Sequence, residues 1–256
     1  MRSWSAWVAA LALVAVIALG WRVFVAWWYD DIGNIALARG DDARARALFE
    51  KGLGLAPESR LLREDRGRAL LDEDPGAALR DFTDAACGAP CVAEAGDAQA
   101  RLGNMDAAVA DYLDAKAANR LAATADGMAA AGKFDEAIAL ETALSQRLGD
   151  DILLRADLAA SQARVGKFAE TAARANPARA AAYRARAIDA YARASALAPF
   201  NEGYLLSLGF AQMNWGDKRA ARDTFAKVLA RHPHQADAEQ ALQLLKLASP
   251  APGTSG

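Results

Sequence analysis

ALARGDDARARALFEKGLGLAPES (36–59) and AQMNWGDKRAARDTFAKVLARHPH (211–234) share one spacing. In each, glycine is followed five residues on by alanine, four further by an aromatic residue and eight further by proline. The residues are Gly40, Ala45, Phe49 and Pro57 in the first, and Gly216, Ala221, Phe225 and Pro233 in the second. Glycine allows a sharp turn, alanine is small enough for helices to approach closely, and proline stops a helix. Working inward from both ends, Ala78, Phe82 and Pro90 continue the spacing 33 residues after the first set, with Gly67 one residue late in the preceding helix. Gly96, Gly103, Ala108 and Tyr112 mark a third unit. GKFDEA (132–137) and GKFAET (166–171), 34 apart, mark the helix junctions of a fourth and a fifth.

After Gly166 the register breaks. Pro199 follows it by 33 residues where the end units show 17, so about sixteen residues are inserted around Asn176-Pro177. QADAEQALQLLKLA (235–248) has apolar residues at helical spacing and reads as a cap on the stack. SPAPGTSG (249–256) reads as a disordered tail. A period in the thirties is the mark of a repeat fold. The unit resembles the tetratricopeptide repeat, a 34-residue helix–turn–helix. Tyr29, Ile32, Gly33 and Gly40 occupy the family's first-helix positions in the first unit, and Leu205, Leu208, Gly209 and Gly216 occupy them in the last. The resemblance covers about residues 26–248 and implies an all-α, right-handed solenoid of about six helix pairs, with 29–248 forming the repeat domain.

The first thirty residues differ. Ser5 to Trp21 is free of charge, and apolar character resumes after Arg22 up to Tyr29. Trp4 and Trp7 lie at one end; Trp21, Phe24, Trp27, Trp28 and Tyr29 lie at the other. Residues 4–28 are long enough to cross a ~30 Å hydrocarbon layer, and the aromatic clusters read as interface belts. A cleaved signal peptide ending near Ala18-Leu19-Gly20 and a soluble helix are the other readings. The uncleaved anchor over 1–28 is favoured, because cleavage would leave WRVFVAWWY exposed. It implies a single pass of a bacterial inner membrane, contact with the lipid bilayer and a periplasmic repeat domain. The span runs into the first repeat with no linker.

Composition narrows the function. Thirty basic and 32 acidic residues give a formal net charge of −2, which argues against nucleic-acid binding. An apolar fraction of 54% is largely alanine, the residue of closely packed helices. Two cysteines and two histidines leave little scope for metal chemistry. Cys87 and Cys91 flank one tight turn, CGAPC, where a structural disulfide, two free thiols and a redox or metal pair are the possibilities. His232 and His234 beside Pro233 lack a third ligand and read as a solvated turn. Asp30-Asp31 and Asp41-Asp42 read as helix starts. No nucleotide loop, nucleophile motif or zinc-protease motif occurs. The expectation is therefore no enzyme, no cofactor, no metal and no small-molecule ligand.

What remains is binding of other proteins or peptides. In this family the first helices of the pairs line a concave groove. The matching positions are Asn34, Arg63, Asp97 and Asp126 in the first four units and Leu206, Phe210 and Met213 in the last. Members that clamp a carboxylate place lysine where Asp30 stands, so a chaperone carboxyl terminus is not the implied ligand. The reading is a membrane-anchored, non-catalytic interaction scaffold for protein export, cofactor insertion or envelope complex assembly. The alternative is a cytoplasmic-facing adaptor for a secretion or pilus system.

Overall fold

The computed structural model describes residues 2–149 and 151–247; the expected tail at 249–256 lies outside them. Regular structure among the described residues is entirely helical. It falls into two compact units, residues 1–121 and 122–256.

In the first unit, α1 (Arg2–Ala38) pairs with α2 (Asp42–Leu55), α3 (Arg60–Leu70) with α4 (Pro75–Ala85), and α5 (Ala89–Arg101) with α6 (Met105–Asp114). The start of α7 (Ala118–Ala130) completes it. The turns have local causes. Gly40 adopts φ 75°, which ends α1 at no steric cost. Asp41 accepts the Arg44 amide at 3.2 Å to cap α2, and Asp74 accepts the Ala77 amide at 2.9 Å ahead of Pro75 at the start of α4.

The pairs close through glycine. A Cβ at Gly33 would lie 2.4 Å from the Phe49 ring, at Gly67 2.7 Å from Phe82, and at Gly96 3.0 Å from Tyr112. Only a bare Cα lets each aromatic ring lie on the first helix, and all three rings are fully buried. The one-residue offset at Gly67 does not disturb this contact. Around the rings, Ala45, Leu62 and Ala69 pack in one cluster, and Ala78, Ala85 and Ala98 in the next.

The second unit holds the rest of α7, then α8 (Phe134–Leu148), α9 (Arg155–Ala175), α10 (Ala180–Leu197), α11 (Glu202–Asn214), α12 (Lys218–Arg231) and α13 (Ala236–Leu247). α13 packs Ala238, Ala241 and Leu245 against Ala221, Phe225 and Val228, sealing the end of the stack. Gly209 repeats the glycine contact, its Cβ position 2.7 Å from Phe225.

Three sequence expectations are corrected. Gly166 does not end a helix: it lies inside α9, where a Cβ would meet the Tyr191 ring at 2.6 Å. It therefore plays the part of Gly33, with 25 residues to its aromatic partner instead of 16, and the extra length extends both α9 and α10. Asp30-Asp31 is not a helix start either, because α1 runs unbroken past it and buries Asp30. Finally, no helix among the described residues is long and apolar enough to cross a membrane. Along its described part α1 carries Arg22, Asp30 and Asp31, and the side chains of residues 2–6 and 8–19 lie outside the description. The single-pass inner-membrane placement with a periplasmic repeat domain is overturned on that ground, and lipid contact through residues 4–28 is unsupported.

Candidate functional site

The first helices of the pairs carry polar side chains toward one another. In the first unit, Asn34 of α1 donates its amide to Asp65 Oδ2 of α3 at 2.9 Å. Arg68 of α3 holds Asp65 at 2.6 Å and Glu64 on its own helix, and reaches Glu94 of α5 at 2.6 Å. Asp97 of α5 accepts the Tyr112 hydroxyl at 2.6 Å and the Arg120 guanidinium of α7 at 2.8 Å. In the second unit, Arg164 of α9 donates to the Ala122 carbonyl at 2.6 Å, lies 3.3 Å from Asp126 of α7, and holds Glu141 of α8. Each rung ties one first helix to the next.

Asn34, Asp97 and Asp126 thus stand on rungs, with Asp97 buried and Asp126 exposed. Arg63 turns away from them: it donates to the Pro57 carbonyl at 2.6 Å, with Glu58 at 3.9 Å. Leu206, Phe210 and Met213 are half-buried and pack on the cluster between α12 and α13. Phe210 meets Phe225 edge-on, ring centres 5.1 Å apart. Asp65, Arg68, Glu94, Arg120 and Arg164 escaped the sequence reading, since charges on an Ala-rich helix look like a solvated face until the neighbouring helix is placed.

The fourth pair departs from the glycine–aromatic rule. Seven residues before its turn glycine, Gly132, stands Ala125, and nine after it stands Glu141, where the other pairs have glycine and an aromatic ring. Glu141 is 1% exposed and accepts the Ser161 hydroxyl at 2.8 Å besides Arg164. A methyl group at Ala125 is tolerated because no ring comes down on it.

Electrostatics concentrate at the N-terminal rungs. Burial, then the Asp65 carboxyl beside it, pushes Asp30 up to about 7. Burial likewise raises Glu94, outweighing its hydrogen bond with Arg68. Asp30 Oδ1 and Glu94 Oε2 are buried without a hydrogen-bond partner.

Cys87 and Cys91 form a disulfide across the turn into α5, Cα atoms 5.4 Å apart. Glu64 lies close enough for its carboxylate and the two sulfurs to fall within 4.8 Å of one another. With the sulfurs bonded to each other, that trio offers a cation one carboxylate and no thiolate.

Five of the pairs share a glycine on the first helix beneath an aromatic ring on the second. In that arrangement of paired helices the repeat resembles the tetratricopeptide repeat. No protein-family model matches the chain, and no curated protein matches it. Among solved structures it is similar to a MamA protein, at 18% identity over 83% of this chain and 94% of that one, with a TM-score of 0.33. It is also similar to YrrB, described as a tetratricopeptide repeat protein with an unusual peptide-binding site, at 13% identity over 84% and 90%, TM-score 0.31. A third similar structure is PilF of Pseudomonas aeruginosa, at 13% identity over 90% and 95%, TM-score 0.35.

Proposed function

We propose that the chain is a non-catalytic scaffold whose first helices hold protein or peptide partners, of the kind that assists protein export, cofactor insertion or complex assembly. The observation that carries this reading is the apolar face of α11. Leu206, Phe210 and Met213 are only partly covered by the chain's own helices, and Phe200, two residues before α11 begins, is 95% exposed. An apolar face left partly open at the end of a repeat stack accepts the apolar side chains of another chain.

The test is a photo-reactive side chain at Met213 on α11 and, separately, at Arg219 on α12, in the full chain expressed in its own host. The same partner should be captured repeatedly from position 213 and not from 219. Capture from both positions alike, or from neither, would remove the assignment of this face.

A further inference from the structure

The first unit contains a cavity of about 480 Å³ bounded by α1, the turn before α3, and α3. Val23, Trp27, Pro57, Leu61 and Leu62 form its walls, and Val23, Trp27 and Leu61 are exposed at its rim. Asp30 also lines it, 4% exposed, with Oδ1 free of any hydrogen-bond partner. The remaining charged residue of the lining, Glu58, is acidic as well. Asp65 lies against Asp30 from α3 and Asp31 adds to it from α1. Arg68, the cation that counters Asp30, is already shared among Glu64, Asp65 and Glu94.

We propose that this cavity receives the side chain of an arginine or lysine from the partner polypeptide, its charged head meeting Asp30 and its aliphatic stem lying along Trp27 and Leu61. The proposal rests on the scaffold reading above and names the chemistry of one partner residue.

Three features of the cavity select that chemistry. An anion would meet only acidic charged groups in the lining, Asp30 and Glu58, and no cation to hold it. A purely apolar side chain would fit the walls and leave the Asp30 oxygen unpaired, which buried polar groups avoid. A basic residue has both parts in the right order, an apolar stem followed by a charged donor, and long basic side chains lie along apolar surface in this way. Trp27 can also stack on a guanidinium at the rim. The carboxyl whose ionisation burial delays to about pH 7 in the empty chain gives up its proton more readily when a cation lies against it.

The test uses the full chain carrying fluorinated tryptophan, with the Trp27 signal assigned by Trp27→Phe. The probes are the capped peptide Ala-Leu-Arg-Leu-Ala and the same peptide with citrulline, an uncharged isostere of arginine, at the centre. At pH 8 the arginine peptide should shift the Trp27 resonance saturably and bind about tenfold or more tightly than the citrulline peptide. Asp30→Asn, which keeps the shape of the side chain, should abolish that preference, and Asp31→Asn should leave it. Equal binding of the two peptides by the unaltered chain, a preference that survives Asp30→Asn, or no response at Trp27 would each overturn the proposal. The unaltered chain decides by itself should Asp30→Asn fail to fold. Capture of a partner at position 213 with a silent Trp27 would sink this inference and leave the scaffold reading standing.

Discussion

Gly209 shows how much one missing Cβ decides. Alanine there would place a methyl group 2.7 Å from the Phe225 ring, which is fully buried and has no room to retreat. Gly209→Ala should therefore lower the unfolding free energy by about 1–3 kcal/mol, the usual range for overpacking. Gly127→Ala, with no atom within 4 Å of the new Cβ, should raise stability by several tenths of a kcal/mol to ~1 kcal/mol. Urea unfolding of the two variants checks the pair. Asp30 makes a different prediction. An aspartate in an unfolded chain titrates near 4, whereas folded Asp30 keeps its proton to about 7. Between those values the folded state binds more protons, so this group's contribution to stability falls as pH rises from about 4 to 7 and stays low above. Asp30→Asn removes that cost: it should be more stable than the unaltered chain by on the order of 2 kcal/mol at pH 8 and by little at pH 4. An effect of the same size at both pH values would refute it. Residues of this kind were only half legible in the sequence. The glycine–aromatic spacing could be read because sterics impose it; the burial of Asp30 could not, because it depends on which helix lies across it.

Helices were legible where their punctuation was regular. Gly40, Gly103, Gly132 and Gly216 all end first helices at positive φ, as their spacing suggested. Gly166 misled because GKF follows a turn at Gly132 and lies inside a helix at Gly166: three residues cannot tell the two apart, and only the distance to Tyr191 does. The fourth pair was legible least, since it replaces a ring by a carboxylate. Glu141→Ala should cost roughly 3 kcal/mol, and Arg164→Ala a similar amount by stranding the buried carboxylate. The double variant should cost clearly less than the two losses added, as measured by denaturant unfolding; strict additivity would mean that the two do not act as a pair. At the α4–α5 turn, the bond between Cys87 and Cys91 closes a short loop, so its reduction should lower stability by about 2 kcal/mol at most and leave the helices in place. Mass spectrometry after alkylation without reductant, paired with melting curves with and without reductant, checks both halves of that statement.

On the scale of the whole molecule, the sequence pointed to a bilayer and the structure does not. Trp21, Phe24, Trp27 and Trp28 looked like an interface belt; they are exposed on a helix that continues as the first repeat, with Asp30 and Asp31 one turn further on. What the two units have in common is internal: first helices joined by ionic rungs and second helices pressing rings onto glycine; the second unit alone adds an apolar face on α11 that α13 covers only in part. The central claim is that this face binds a partner while the residues beneath it hold the fold. The measurement that reaches it most directly is the affinity of the captured partner for Phe210→Ala and Leu208→Ala, each corrected to the folded fraction. Phe210, half-buried, should on truncation weaken binding by about 1–3 kcal/mol. Leu208, only 8% exposed, should on truncation lower the melting temperature and leave affinity per folded molecule unchanged. If Phe210→Ala instead only destabilises the last repeat and its folded molecules bind as tightly as before, Phe210 is core and the binding face is elsewhere.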